Sequence, residues 1–186
     1  MRSIVCRSIL FIFMLIGITE AEPVSLVSTP WLDQTGEVVF FSWRGDVWKA
    51  STDGGVISRL TSDEADERNP VISDDGATLY YASNRTGVNQ VYRMDLPSSR
   101  PTQLTFHSEG SLPVGISGDG TTVFTSGQRD SWWRWANRFF SISADEPQSG
   151  EKQLFNAYGS AASVNPDGTK VLFCREGMSW SRKQYQ

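Results

Sequence analysis

Four glycines close nearly the same turn: LDQTG at 32–36, SDDG at 73–76, SGDG at 117–120 and NPDG at 165–168. Three residues beyond each glycine begins a mostly apolar triplet: Val39-Phe40-Phe41, Leu79-Tyr80-Tyr81, Val123-Phe124-Thr125 and Val171-Leu172-Phe173. A polar turn ending in glycine before such a run is a hairpin signal, because glycine supplies the positive φ of the tight turn. The glycine-to-glycine spacings are 40, 44 and 48 residues. Recurrence at that interval constrains the fold more than any single motif does. It means one supersecondary unit that stacks on copies of itself.

Two further elements recur behind each triplet. A strand with an aromatic member follows at 46–50 (DVWKA), 90–95 (QVYRMD) and 138–143 (RFFSIS), and a short closing strand at 59–61 (RLT), 103–105 (QLT) and 153–155 (QLF). Each unit is thus four short strands. Four-stranded units of this length are propeller blades, whereas a Greek-key sandwich has no reason to repeat its motifs in register. The expected fold is all-β, a β-propeller with blades near 30–61, 69–105, 111–155 and 160–186, about three and a half blades of an incomplete ring.

The pieces NPDGTKVLF, SDDGATLYYASNRTGVNQVYRMDL and GDVWKASTDGGVISRLTSDEADERNPVISDDG resemble TolB-type propeller repeats. The tail VLFCREGMSWSRKQYQ, behind a third blade, is similar to the N-terminal propeller of tricorn-like serine peptidases. The resemblance covers roughly residues 30–186. SDDG and SGDG lack the proline of the family turn, and Pro97-Ser98-Ser99 stands where Gly54-Gly55 stands one blade earlier. The resemblance implies a non-catalytic propeller that binds or gates peptides for a peptidase domain not contained in this sequence. A TolB-like periplasmic protein-interaction propeller is the alternative, and a propeller glycosidase is a third, disfavoured for want of an acid pair. Because the fourth blade lacks its third and closing strands, the sequence also reads as a truncated fragment, or as one part of an assembly that completes the ring.

The N-terminus has its own character. Arg2 and Arg7 precede the apolar run Ile9 to Ile18, and small residues lead to Ala21, the layout of a secretory signal peptide spanning 1–21. The run is too short for a bilayer span of roughly 20 residues, although an uncleaved anchor is the other reading. Export to the periplasm or outside the cell follows, with 22–186 as a chain free of the membrane. Without Arg2, Arg7 and Glu20, the 17 basic and 21 acidic residues become 15 and 20, a net charge of −5. That balance disfavours nucleic acid and leaves a peptide or protein as the expected partner. Cys6 would leave with the signal, and Cys174 in VLFC reads as a small hydrophobe.

Little chemistry is visible. His107 is the only histidine, no nucleophile elbow or Ser-x-x-Lys dyad is present, and no metal or other cofactor is expected. The aspartates beside the turn glycines are expected to cap those turns. The cluster Asp63-Glu64-Ala65-Asp66-Glu67 lacks the spacing of a calcium loop and is expected to be solvated. Asn84-Arg85-Thr86 is a glycosylation sequon.

Loop length is more telling. From turn glycine to third-strand aromatic takes 12, 16 and 20 residues in successive blades (36 to 48, 76 to 92, 120 to 140). The growth falls between the second and third strands, on the rim shared with the connections between blades, where recognition loops are expected. Arg44, Arg85 and Arg129 lie on that side, set to pair with the acidic neighbouring loop or with a ligand's carboxylates. The longest loop carries Trp132, Trp133, Arg134 and Trp135, which have no counterpart in the other blades. The candidate peptide- or partner-binding residues are therefore Arg85, Arg129, Trp132, Trp133, Arg134 and Trp135, with packing of the loop on the next blade as the competing reading.

Overall fold

The computed structural model describes residues 26–97, 99–130 and 136–175. Three four-stranded antiparallel sheets follow one another along the chain. The first is β1 (Ser28–Leu32), β2 (Val38–Trp43), β3 (Asp46–Ser51) and β4 (Ser58–Arg59). The second is β5 (Glu67–Ile72), β6 (Thr78–Ser83), β7 (Gln90–Asp95) and β8 (Thr102–Gln103). The third is β9 (Leu112–Ile116), β10 (Thr122–Gly127), β11 (Arg138–Ser143) and β12 (Lys152–Gln153). A pair, β13 (Gly159–Val164) and β14 (Val171–Arg175), begins a fourth. Each sheet runs in chain order, so every connection is a hairpin. This is a partial β-propeller, and the described residues do not close a ring.

The turns show why Asp-Gly recurs. In the second sheet the Ser73 hydroxyl donates to Asp75 Oδ1 at 2.6 Å, which also accepts from the Ala77 N–H at 2.9 Å. Gly76, at φ +70°, donates its N–H to Ser73 O at 2.8 Å. Ser117 and Asp119 repeat the arrangement one sheet later, and in the first sheet Asp33 accepts from the Val38 N–H itself. These bonds hold the three carboxyls below the usual aspartate range, Asp33 chiefly through the Val38 N–H, Asp75 and Asp119 chiefly through a serine hydroxyl. The missing proline of SGDG also has a reason. A Cβ on Gly118 would lie 2.8 Å from Pro166 O, to which the Gly118 N–H donates at 2.6 Å. The turn of the third sheet thus leans on that of the fourth.

The RLT and QLT closures are equally physical. The N–H of Leu60 and of Leu104 donates to the carbonyl of Val47 and Val91, both at 2.8 Å. The hydroxyl of Thr61 and of Thr105 accepts the N–H of the same valine, both at 2.9 Å. Arg59 and Gln103 reach two residues ahead to the threonine carbonyl at 2.8 and 2.7 Å. In the third sheet Phe155 takes the threonine position and instead forms a mutual ring cluster with Phe139 and Phe173.

Packing follows the strand period of two. On β6, Leu79 and Tyr81 join Phe40, Val47 and Met94 between the first two sheets. Tyr80 points the other way, into a cluster with Val71, Val91, Ile116, Val123 and Ile142 between the second and third. A sheet covered on both faces has no solvent side, so LYYA carries no polar alternation. β14, covered on one face among the described residues, exposes Leu172 and packs a half-buried Phe173 against Phe139.

The first strand of each sheet, an edge strand, borders a common axis and carries a bulge at the same place. Pairing register slips between Ser28 and Trp31, between Arg68 and Val71, and between Ser160 and Ser163, with Thr29, Asn69 and Ala161 at φ near +50°. In the third sheet Pro113 cannot adopt that φ, and Val114 becomes the extra residue. The bulges line an open axial groove of about 510 Å³. Thr105→Val, which strands the buried Val91 N–H and Gln90 Oε1, is expected to lower unfolding free energy by about 1–3 kcal/mol in urea titrations.

Candidate functional site

The rim opposite the Asp-Gly turns carries the loops between second and third strands, residues 44–45, 84–89 and 128–137. They sit beside the connections between sheets, as expected from the repeat. The growth in length falls wholly in these loops, and two arginines organise their bases.

Arg85 leaves the second-sheet loop and lies 4.6 Å over the Tyr92 ring. Its Nη2 pairs with Glu67 Oε1 at the start of β5, and its Nη1 reaches Asp63 Oδ2 at 3.5 Å in the connection from the first sheet. Tyr81 Oη accepts a further bond from Nη2 at 3.3 Å. Arg129 repeats this one sheet later, 4.4 Å over the Phe140 ring. Tyr92 and Phe140 are equivalent third-strand positions, so the repeat places an arginine over the same aromatic twice. The carboxylate differs: Glu151, ahead of β12, accepts from Arg129 Nη2 at 2.7 Å. Ser111, the counterpart of Glu67, bonds Glu151 at 2.9 Å, and Arg129 also donates to Gly110 O at 2.8 Å. Arg44 lies over Trp43 at 4.6 Å and has no carboxylate partner among the described residues.

Arg85 and Arg129 are therefore rim residues with internal partners: Arg85 pairs with the acidic neighbouring loop, the first of the two readings the sequence allowed, whereas Arg129 pairs with Glu151, which neither reading named. Their side chains are 21% and 12% exposed. The solvated acidic loop needs correction: Glu67 is 1% exposed and belongs to the core, while Asp63, Glu64 and Asp66 remain in solvent. Spacing could not show this, because Glu67 opens β5 whereas its acidic neighbours precede the strand. Burial pushes the Glu67 carboxyl above its ordinary value, against the opposing pull of Thr61 and Arg85. Burial raises the Tyr81 phenol as well. Glu151, missed by sequence reasoning, had a faint signal in the EKQLF stretch but none in the repeat.

Trp132, Trp133, Arg134 and Trp135 lie outside the described residues. The ends of their loop are fixed. Asp130 Oδ2 accepts from Arg138 Nε at 2.6 Å and from the Tyr158 hydroxyl at 2.8 Å, and Arg138 Nη2 donates to Tyr158 Oη at 2.6 Å. The bonds from Arg138 and Tyr158 hold the Asp130 carboxyl below its usual range. Gly159 N–H donates to Asn137 O at 3.0 Å, tying the loop's far end to β13.

His107 is structural where it is seen. Its Nδ1 accepts the Glu109 N–H at 3.1 Å and its carbonyl accepts from Gln90 Nε2 at 2.6 Å. Burial and the nearby Arg129 push its imidazole down. Among the described residues no group of three histidine, cysteine or acidic side chains could hold a metal ion.

Stacked four-stranded blades with recurring Asp-Gly turns place the chain in a class, the propellers built of TolB-type repeats. Residues 25–186 match the tricorn protease N-terminal beta propeller domain, and the chain belongs to that family. It is 29% identical over 156 residues to tricorn protease homolog 1 of Streptomyces coelicolor, covering 79% of this chain and 14% of that protein. It is 26% identical over 137 residues to an uncharacterized protein of Agrobacterium fabrum, covering 70% of this chain and 47% of the other. The chain thus spans less than half the length of these relatives. Among solved structures, a putative TolB from Agrobacterium tumefaciens superposes with a TM-score of 0.65 at 22% identity, over 79% of this chain and 57% of that one. TolB from Acinetobacter baumannii gives 0.61 at 22% identity, over 80% and 38%. At that identity the likeness is one of fold.

Arg85→Met leaves Glu67 buried without its cation and is expected to cost about 3 kcal/mol in chemical denaturation, most of it recovered in Arg85→Met/Glu67→Gln. Linkage fixes a second outcome. A carboxyl raised on folding contributes stability present below its ordinary pKa of 4.5 and lost as pH rises. Wild type should therefore gain stability relative to Glu67→Gln as pH is lowered from 7 toward 4.5, read from paired thermal melts.

Proposed function

We propose that this chain is the non-catalytic propeller portion of an exported tricorn-like peptidase, where it binds peptides and presents them to a catalytic domain elsewhere in the protein. The supporting observation is the asymmetry of the two rims. One rim repeats the same closed Asp-Gly turn, while the other carries loops of increasing length on arginine-clasped bases. A rigid scaffold with variable loops on one side is the arrangement that recognition uses. The family match and the resemblance to a tricorn protease homolog favour peptides as the bound class. Trp132, Trp133, Arg134 and Trp135 are proposed to contact them from the longest loop, while Arg85 and Arg129 act by holding the loop bases. A periplasmic protein-interaction propeller is the second reading, supported by the fold likeness to two TolB structures.

Export rests on the basic start, apolar run and small residues of 1–21. Expression in a bacterial host with the native N-terminus should yield a mature chain starting at Glu22, read by N-terminal sequencing. A mixture of short unstructured peptides should bind the purified chain and be recovered uncleaved by mass spectrometry, with Trp132→Ala/Trp133→Ala/Trp135→Ala at least tenfold weaker. Retention of a folded envelope protein with no affinity for peptides would favour the second reading instead.

A further inference from the structure

The clefts between successive sheets are equivalent by repeat, yet their chemistry differs. Between the first and second sheets the connection presents Asp66, Glu67 and Arg68 beside Gly45. The counterparts between the second and third sheets are Gly110, Ser111 and Leu112 beside Asn89. Three charged positions have become neutral in one step along the chain. In the first cleft the charges are paired, Arg68 with Asp66 at 3.5 Å and Glu67 with Arg85. In the second cleft Ser111 is bonded to Glu151 and Arg129, but most of the carboxamide groups are left unspent.

That second cleft encloses about 350 Å³, within the range of roughly 300–1,000 Å³ usual for small-ligand sites. Four carboxamide residues line it: Asn84, Asn89, Gln128 and Asn137. The side chains of Asn89, Gln128 and Asn137 make no hydrogen bond among the described residues, and Asn84 uses only its oxygen, accepting from the Asp66 N–H at 2.9 Å. Asn89 Oδ1 is a buried acceptor with no donor, the kind of orphan that a bound group satisfies. Gly110 cannot be replaced by its acidic counterpart, since a Cβ there would lie 2.6 Å from Asn89 O and its φ is +81°. Exposed Phe106 and Val88 add apolar surface in the adjoining loops.

We infer that this cleft binds the main chain of an extended, uncharged stretch of polypeptide. A carboxamide offers one acceptor and two donors side by side, matching a peptide group's own N–H and C=O without demanding any side chain. Several such groups in one cleft read backbone and ignore sequence. Glu109 is the single charged residue of the lining and opposes acidic segments. The inference rests on the peptide-binding reading above and narrows it to a location and a chemistry.

The test uses the full chain and a fluorescent peptide of alanine, serine and valine with acetylated and amidated ends, followed by anisotropy. Wild type should bind it, a copy N-methylated along its backbone should bind at least tenfold more weakly, and Gln128→Leu/Asn137→Leu should lose at least tenfold with an unchanged melting temperature. Gln128→Leu alone serves if the double variant melts early, with a severalfold loss expected. Equal affinity in a folded variant would overturn the cleft assignment while leaving peptide binding elsewhere intact. Equal affinity for the N-methylated peptide would overturn main-chain recognition. Absence of any peptide binding would remove both readings. A neutral oligosaccharide that binds wild type and is lost in the variant would replace the peptide as ligand.

Discussion

Each sheet in this chain has two apolar faces, and neither can be left to water. Burial of one face on the sheet before and the other on the sheet after is the contact from which everything else follows. Tyr80 and Tyr81, adjacent on β6, fall into different clusters on opposite sides of the sheet. The same demand explains the short closing strands, since two residues of pairing suffice when the faces are held from outside. Fully burying a large apolar side chain contributes about 1.5–3 kcal/mol, so the sheet interfaces far outweigh any single hydrogen bond on the rims.

Upon that stack the polar chemistry divides between the two rims. On one, aspartate and serine close turns locally, within five residues. On the other, Arg85 and Arg129 reach between segments and join a loop to the connection between sheets. Stacking a guanidinium on the third-strand aromatic while pairing it with a carboxylate keeps the arginine nearly buried without stranding its charge. The carboxylate can come from either side, Glu67 at the start of the sheet or Glu151 near its end, because the ring and the charge are fixed and only the partner is exchanged. This freedom lets Gly110 and Ser111, ahead of the third sheet, replace the acids that stand at Asp66 and Glu67.

The repeat made the sheets legible from sequence. The Asp-Gly turns, the third strands and the RLT and QLT closures all fall where the spacing puts them, because each is a local pattern recurring in register. The pairing of Arg85 and Arg129 was legible only as one of two options, since the choice depends on which residues the connection brings near. Glu67 was misread with its acidic neighbours; strand register, and not composition, sends it inward while Asp66 stays outside. The uncommitted carboxamides were not legible at all. Asn84, Asn89, Gln128 and Asn137 are scattered over more than 50 positions and meet only after two sheets stack.

The inner bulges have a consequence for the axis. Edge strands ordinarily offer a row of free backbone groups on which a foreign strand can zip. Here Pro30, Pro70 and Pro113 remove amide donors from the axial strands of three sheets, and the left-handed residues at Thr29, Asn69 and Ala161 break the straight run of those strands. The wall of the groove is thereby denied the geometry of a template. An incoming strand would find the straight ladder interrupted in each of these strands.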